Sequence, residues 1–200
     1  MKILALSPHP DDVEFGCGGF LAKHSRDEIL IVYFSMCNES MTKFPKNTLH
    51  NEVSGANTVL LTDYKVLGFE VRRFNESRQD ILEELVTLRN TFNPDLVLIP
   101  SVSDVHQDHT VIHEEAKRAF NYVNMLAYEL PWNCRGFKPN YFVPLGEYAI
   151  EKKVDMIEAY KSQAWRHYAN ADFINSLAVV RGAQCNRGYA EAFETITWIT

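Results

Sequence analysis

The residues best suited to chemistry follow the first apolar segment of the chain. Residues 2–6 are aliphatic apart from the leading lysine, and residues 7–12 read Ser-Pro-His-Pro-Asp-Asp. The histidine, His9, and the two carboxylates, Asp11 and Asp12, offer nitrogen and oxygen ligands that Zn²⁺ and Fe²⁺ accept. A catalytic site of this kind keeps one metal position open for water. Hydrolysis at a divalent metal ion is therefore the first chemistry that these residue types indicate.

A second group of the same residue types follows a second apolar run. Residues 94–100 resemble a buried strand, and residues 104–109 then read Asp-Val-His-Gln-Asp-His. Ligands of open α/β sheets bind outside the carboxyl ends of the strands, so both groups are expected at one edge of a sheet. His9, Asp12 and His109 would then form a set of two histidines and one carboxylate.

The neighbouring side chains suit roles around such a metal. Asp11 lies beside a ligand and could act as the general base toward the metal-bound water. His106 could face the substrate, and Asp108 could accept its other ring N–H and fix the tautomer. A histidine paired with a carboxylate suits the protonation of a leaving amine or the stabilisation of an oxyanion.

Each of these residues also has an ordinary structural interpretation. Asp11 and Asp12 could cap the N-terminus of a helix, and Asp104 could be a capping or loop residue. An isolated histidine is most often a surface or core residue, and no role is assigned to His24, His50, His113 and His167. The joint occurrence of both groups after two strands favours the metal site over these alternatives.

The elements that must position these groups alternate between strand-like and helix-like segments. Strand-like runs occur at residues 2–6, 29–34, 94–100, 125–128 and 193–199, with weaker ones at 66–68 and 141–143. Helix-like segments occur at residues 18–26, 76–92 and 147–160, around 53–60 and after 109. The alternation predicts a Rossmann-like, doubly wound α/β fold with a mainly parallel sheet. We expect residues 1–200 to form a single domain, because no linker or repeat divides them.

Composition and charge argue against several classes of protein. The formal net charge of −6 and the lack of a basic cluster argue against a nucleic-acid partner. The four cysteines are scattered, with no C-x-x-C pair, as expected for reduced thiols in a cytoplasmic protein. No signal peptide is recognisable, and no apolar run approaches the roughly 18 residues of a transmembrane segment. The sequence leaves open whether the protein forms a homo-oligomer.

A nucleotide-binding Rossmann domain is the main competing interpretation. Residues 16–19 read Gly-Cys-Gly-Gly, but Leu21 occupies the position of the third glycine of the G-x-G-x-x-G fingerprint. The chain also lacks a P-loop and a G-x-S-x-G elbow. The glycines are expected instead to let the first helix pack closely behind the metal loop. A binding protein without catalysis is the other alternative, and an Asp11 that is hydrogen-bonded to the fold would favour it.

Four segments resemble the LmbE/PIG-L family of metal-dependent N-deacetylases. Residues 7–19 look like the signature loop of that family, and residues 94–109 look like its second motif. Weaker similarity extends through residues 160–163 and 189–193. The resemblance implies a Rossmann-like fold and, usually, zinc. It also implies hydrolysis of the N-acetyl group of an amino sugar, such as an N-acetylglucosamine derivative, with release of acetate.

The resemblance assigns six residues of this chain to two groups. It implies Zn²⁺, with Fe²⁺ as the alternative ion, on the ligands His9, Asp12 and His109. It also implies three catalytic residues. Asp11 is the expected general base, His106 the second active-site histidine, and Asp108 the partner that orients His106.

Two positions depart from the pattern of the family. Many relatives carry R-x-x-E on the helix after the second strand, where the arginine helps to hold the sugar. Here Glu52 fits the acid, but Leu49 stands at the position of the arginine. Substrate anchoring is then expected from elsewhere, with the candidates Arg72, Arg73 and Arg78. Gln107 replaces a proline of many relatives, and we expect little chemical consequence from it.

Two irregular stretches are expected to shape the substrate pocket, residues 37–47 and residues 131–135. Trp132 could stack on a sugar face or serve local packing, and Glu39 is a candidate polar contact. The expected partner is a small acetylated amino sugar or its conjugate. Hydrolysis of a different amide conjugate is the alternative within the enzymes.

Overall fold

A mostly parallel sheet forms the centre of the molecule. The computed structural model describes residues 1–37 and 44–200. Within these residues, the strands are β1 (Lys2–Ser7), β2 (Glu28–Tyr33), β3 (Asp63–Val66), β4 (Leu96–Pro100), β5 (Asn124–Tyr128), β6 (Tyr141–Leu145) and β7 (Tyr189–Thr197). Their spatial order is β3-β2-β1-β4-β5-β7-β6, and β7 runs antiparallel to both of its neighbours. The pairs that join β3, β2, β1, β4 and β5 are all parallel.

Helices cover both faces of this sheet. They are α1 (Asp12–Lys23), α2 (Thr48–Leu60), α3 (Arg78–Phe92), α4 (Gln107–Ala119), α5 (Glu147–Glu158) and α6 (Ala171–Gln184). One core cluster joins α1, α2, α5 and α6 to the sheet, and a second joins α3 and α4 to the opposite face. None of these helices combines the length and the apolar character that are needed to cross a bilayer. The doubly wound α/β fold with a mainly parallel sheet is confirmed.

The winding places a natural binding crevice at the ends of β1 and β4. Strand β1 alternates its buried side chains between the two core clusters, as strands covered on both faces do. The chain proceeds from β1 outward to β2 and β3, and then returns to β4 on the other side of β1. The order of the strands therefore reverses between β1 and β4, which is where open α/β sheets bind ligands.

Several predicted elements differ from the structure at their ends. Helix α1 begins at Asp12 instead of residue 18, because glycine-rich helix turns have low intrinsic helix propensity and escape a pattern-based prediction. The weak strand expected at residues 66–68 lies at Asp63–Val66. Helix α6 was not predicted, because its buried residues form only a narrow line along one face of the helix: Ile174, Ala178 and Gly182.

Helix α1 is interrupted at Cys17, and a side chain of β7 caps its second half. The backbone N–H groups of Gly19 and Phe20 donate to the carboxylate of Glu191 at 2.9 and 2.6 Å. The Lys153 ammonium donates to the same carboxylate at 2.6 Å, so the buried negative charge is paired. The last strand thus holds the helix whose first residue lies in the candidate site.

Gly16 allows α1 to approach the sheet closely. A Cβ at this position would lie 2.2 Å from the ring of Tyr128, and the Tyr128 hydroxyl donates to the carbonyl of Leu6 at 2.8 Å. A Cβ at Gly19 would lie 2.5 Å from Leu145. These contacts confirm that the glycines let the first helix pack tightly behind the loop that follows β1.

Candidate active site

The two predicted groups of polar residues meet at the carboxyl edge of the sheet. Strands β1 and β4 are paired in parallel, so the loops that follow Ser7 and Pro100 emerge side by side. The first loop turns sharply into α1 through Asp11, whose φ of 82° lies in the left-handed region. Such a conformation costs free energy in a non-glycine residue and is concentrated at functional sites.

Three donor atoms form a compact triangle at this edge. The Nδ1 of His9 lies 3.1 Å from the Nε2 of His109. The Oδ2 of Asp12 lies 3.3 Å from the first nitrogen and 3.2 Å from the second. Metal–ligand bonds of about 2.0 Å in a tetrahedral site separate the ligand atoms by about 3.3 Å. The triangle therefore has the dimensions of one face of a tetrahedral metal site.

A second carboxylate stands behind each histidine of this triangle. The Nε2 of His9 lies 2.9 Å from Asp108 Oδ2, and the Nδ1 of His109 lies 2.7 Å from Asp104 Oδ2. A carboxylate only accepts hydrogen bonds, so each ring carries its hydrogen on that far nitrogen. The near nitrogens then present lone pairs to each other and to Asp12. This arrangement, in which carboxylates orient histidine ligands, is typical of metal sites.

The electrostatics of the cluster favour a positive charge among its three donor atoms. Burial alone would lower the pKa of His109, but the carboxylates of Asp12 and Asp104 outweigh burial and raise it to about 10. The pKa of Asp12 is lowered despite burial by the two facing histidines. Without a metal, a proton is therefore held among the three donor atoms. The donor set fits a borderline divalent ion that binds nitrogen and oxygen.

His106 lies beside the triangle but engages differently from the prediction. Within the described residues, His9, His106 and His109 form a group that could also hold a metal ion, since one ring nitrogen of each lies within 4.8 Å of the others. The Nδ1 of His106, however, accepts the backbone N–H of Asp108 at 3.2 Å and so caps α4. The remaining ring hydrogen is therefore on Nε2. Burial, followed by the charges of His109 and His9, lowers the pKa of His106 to about 4, so the ring is a neutral donor.

The expected pairing of Asp108 with His106 is wrong. The Asp108 carboxylate contacts His9 and also accepts the backbone N–H of Arg72 at 2.6 Å. The reason is the start of α4 at Gln107, which directs the Asp108 side chain across to the loop after β1. Asp104, interpreted from sequence as a loop or capping residue, does accept the backbone N–H of His106 at 2.8 Å, and its other oxygen orients His109.

Asp11 lies next to the triangle, and its side chain is not held by hydrogen bonds from the described part of the chain. The residue is 5% exposed, and its side chain makes no hydrogen bond with the described residues. Its nearest opposite charge is the Arg166 guanidinium, 3.8 Å away. Burial, together with the neighbouring charge of Asp12, raises the pKa of Asp11 well above its usual range. The carboxylate does not cap α1, which removes the ordinary structural interpretation of this residue.

A cleft opens above these residues. Its volume of about 310 Å³ falls in the range of small-molecule pockets. Besides the histidines and aspartates already described, its lining contains Pro10, Cys37, Leu49, Val71, Arg72, Trp132, Asn133, Gln163, Arg166 and Tyr168. The mixture of polar, aromatic and cationic side chains suits a polar ligand better than an apolar one.

One cation of this lining was missed from sequence. Arg166 lies three residues after the Ser162-Gln163 pair that contributed to the family resemblance, and this spacing was the available signal. Of the three arginines considered from sequence, Arg72 lines the cleft, whereas Arg73 and Arg78 form ion pairs outside its lining.

The other residues that were considered from sequence for the substrate pocket differ in where the structure places them. Trp132 lines the cleft, but one face of its ring is stacked on Tyr168, with a centroid separation of 3.7 Å. Leu49 is a buried part of the lining, and Glu52 accepts hydrogen bonds from the backbone and the hydroxyl of Ser162 at 2.7 and 2.6 Å. Glu39 lies outside the described residues.

Comparisons with known proteins identify the family of the chain. Residues 4–120 match the model of the PIG-L family, described as GlcNAc-PI de-N-acetylase. The chain belongs to this family. It is 26% identical to the diacetylchitobiose deacetylase of Thermococcus kodakarensis, in an alignment that covers 99% of this chain and 84% of that protein.

Solved structures show the same fold. The conserved protein TT1542 of Thermus thermophilus superposes with a TM-score of 0.80 at 25% identity, covering 99% of this chain and 95% of that one. GalB, the 4-carboxy-2-hydroxymuconate hydratase of Pseudomonas putida, superposes with a TM-score of 0.77 at 19% identity, covering 100% and 97%. Because a hydratase has this fold, the fold alone does not choose the reaction.

Proposed function

We propose that this protein removes the acetyl group from an N-acetylated amino sugar by metal-dependent hydrolysis, releasing acetate and the free amine. The observation that carries the proposal is the triangle of donor atoms with a carboxylate beside it, Asp11, that makes no hydrogen bond within the described residues. Membership of the PIG-L family and similarity to a diacetylchitobiose deacetylase support the choice of an acetylated amino sugar as substrate.

The ligands that we propose for the metal are His9, Asp12 and His109. Zn²⁺ is the proposed ion and Fe²⁺ the alternative. When bound, such an ion would polarise the amide carbonyl and lower the pKa of a coordinated water. Asp108 and Asp104 hold the two histidines in the tautomer that directs their lone pairs at the ion.

Asp11 is the proposed general base. Its carboxylate takes a proton as the oxygen of water bonds to the amide carbon. The same proton is then delivered to the amide nitrogen as the carbon–nitrogen bond breaks, so no net proton is consumed by Asp11 in the cycle. Burial and the neighbouring charge of Asp12 raise the pKa of Asp11, so this carboxylate is a stronger proton acceptor than an exposed one, and the proton that it accepts can be passed on to the amide nitrogen.

His106 is the proposed donor to the developing oxyanion. Its Nδ1 is occupied by the backbone of Asp108, and the hydrogen on Nε2 is available to the cleft. A fixed neutral donor stabilises negative charge as it develops without itself changing protonation. The protonation of the leaving amine is thereby assigned to Asp11 and not to His106.

A binding protein without catalysis explains the site less well. Such a protein has no need of a buried, strained carboxylate beside the metal ligands. An Asp11 that served the fold would cap α1 or accept hydrogen bonds from a neighbouring loop; within the described residues its side chain does neither, and its one ion pair there is with Arg166 at 3.8 Å.

The direct test is acetate release from a panel of N-acetylated amino sugars, free and conjugated, by protein of measured metal content. We expect release that stops with a chelator and returns with Zn²⁺ or Fe²⁺. The Asp11→Asn variant is the matched control, since it should keep the metal and lose turnover. Metal-loaded protein that hydrolyses no member of the panel would overturn the amino-sugar assignment. Failure to bind any divalent ion would overturn the mechanism as a whole.

A further inference from the structure

We propose that the cleft selects an N-acetylated amino sugar that carries an anionic group, a phosphate or a carboxylate, and that Arg72 and Arg166 bind this group. The inference rests on the proposed deacetylation and adds the chemistry of the substrate that the site accepts. It is based on two guanidinium groups in the lining of the cleft and on the way in which the fold holds each of them.

Arg72 is a cation without a protein partner among the described residues. It lines the cleft, and within residues 1–37 and 44–200 its guanidinium makes no hydrogen bond and no ion pair. Its neighbours in sequence behave differently, since Arg73 pairs with Glu76 and Arg78 pairs with both Glu114 and Glu115. In a protein of net charge −6, an arginine left unpaired at the site is available to a ligand of opposite charge.

The backbone of Arg72 is held in a costly conformation by residues of the candidate site. Its φ of 67° lies in the left-handed region. Its N–H donates to Asp108 Oδ2 at 2.6 Å, and its carbonyl accepts from the side-chain amide of Gln107 at 2.5 Å. Asp108 also holds His9, so the position of Arg72 is coupled to that of a proposed metal ligand.

Gln107 therefore has a consequence that was not expected from sequence. Its side-chain amide supplies one of the two hydrogen bonds that hold the Arg72 backbone. A proline at this position has no side-chain donor and could not make the contact. The glutamine and the left-handed Arg72 are thus parts of one local structure.

Arg166 is a second cation, and it is oriented by aromatic side chains. Its guanidinium lies over the rings of Trp165 and Tyr168, 5.7 and 5.6 Å from their centroids. It donates one hydrogen bond to the Tyr168 hydroxyl at 2.8 Å and stands 3.8 Å from Asp11. A guanidinium carries five N–H donors, so most of its hydrogen-bonding capacity remains for a ligand.

The charge of the cleft follows from these two groups. The acidic residues of its described lining are Asp11, which stands 3.8 Å from Arg166, and Asp12, whose charge a divalent ion at the triangle would offset. The charge of Arg72 is then left for the substrate, together with the hydrogen-bond donors of Arg166 that have no partner among the described residues. Guanidinium groups match carboxylate and phosphate oxygens in geometry and form strong charge-assisted hydrogen bonds with them.

The experiment compares kcat/KM of the metal-loaded protein for four substrates: N-acetylglucosamine, its 1-phosphate, its 6-phosphate and N-acetylmuramic acid. We expect at least one anionic sugar to exceed the neutral sugar by about tenfold or more. The two phosphates and the carboxylate distinguish the kind and position of the anion. The advantage should shrink at high ionic strength, because added salt screens exposed charges.

Variants of Arg72 and Arg166 test whether these residues cause the preference for anionic sugars. In Arg72→Gln and in Arg166→Gln, the ratio between the best anionic sugar and the neutral sugar should fall toward one, mainly through KM. The matched control is Arg73→Gln, because Arg73 is adjacent in sequence but pairs with Glu76 outside the lining of the cleft. The control should keep the ratio of the unmodified protein.

The experiment distinguishes the failure of this inference from the failure of the proposed deacetylation. Equal kcat/KM for neutral and anionic sugars, or a ratio that neither arginine variant changes, would overturn this inference and leave the deacetylase assignment standing. Metal-loaded protein that releases acetate from none of the four sugars and from no other N-acetylated amino sugar would overturn both.

Discussion

The cleft has a floor, formed by His9, Asp12 and His109, and a wall, formed by the loop segments that carry Arg72 and Arg166. The fold holds these two parts by different means. At the floor, His9 and His109 are each fixed between Asp12 and a second carboxylate, with donor–acceptor separations between 2.7 and 3.3 Å. On the wall, Arg72 has a side chain without a partner in the described part of the chain, and Arg166 has a single hydrogen bond. The floor is therefore overdetermined by the fold, whereas the wall leaves binding capacity open.

This difference follows from the elements that carry the residues. The floor lies on the loops directly after β1 and β4, which are paired strands at the centre of the sheet. The wall comes from the segments around residues 71–72, 131–133 and 163–168, which connect elements at the surface. Rigid strand ends suit reacting groups that need accurate placement, and connecting loops suit the choice of substrate.

The largest effect is expected from a variant that removes the proposed general base and keeps all of the proposed metal ligands. Asp11→Asn should lower kcat by roughly 10² to 10⁴, because it removes the proton acceptor but none of the proposed ligands. The measurement is steady-state acetate release together with metal content by mass spectrometry. A variant that retained its metal and full activity would show that the floor does not use Asp11, and the assignment would fail.

A smaller effect tests whether the second carboxylates support the floor. Asp104→Asn should weaken metal binding by about 10- to 100-fold, because an amide no longer fixes the tautomer of His109. Competition with a chromogenic chelator measures the affinity. Asp80→Asn, an exposed change in the first turn of α3, is the control. Unchanged affinity in Asp104→Asn would mean that His109 is oriented by packing alone.

The smallest effect concerns the wall. Tyr168→Phe keeps the ring that stacks on Trp132 but removes the hydroxyl that holds Arg166. We expect KM to rise by roughly fivefold while kcat stays within about twofold, because the loss of a hydrogen bond of about 1 kcal/mol leaves Arg166 less well oriented for substrate binding. A fall in kcat comparable to that of Asp11→Asn would remove the distinction between floor and wall.

The floor was largely predictable because its residues lie in two short motifs. The spacing of His9, Asp12 and His109 after two apolar runs indicated both a common edge and a metal-binding role. The partners of the histidines could not be predicted, since they depend on where α4 begins. With the helix starting at Gln107, Asp108 crosses to His9 and Asp104 is left to orient His109.

The wall was less predictable because distant segments form it. Sequence suggested three arginines near residue 75, but only their ion pairs show that Arg73 and Arg78 are engaged elsewhere. Arg166 carried no motif of its own. The fold class followed from the alternation of strands and helices, whereas α6 escaped because its buried face is narrow.

The most direct test of the metal centre measures metal content and acetate release for the unmodified protein, His109→Ala and His50→Ala. His50 lies exposed on α2 and serves as the matched control. We predict about one divalent ion per chain and chelator-sensitive acetate release for the unmodified protein and the control, and loss of both in His109→Ala. Metal content and turnover in His109→Ala equal to those of the control would contradict the metal centre proposed here.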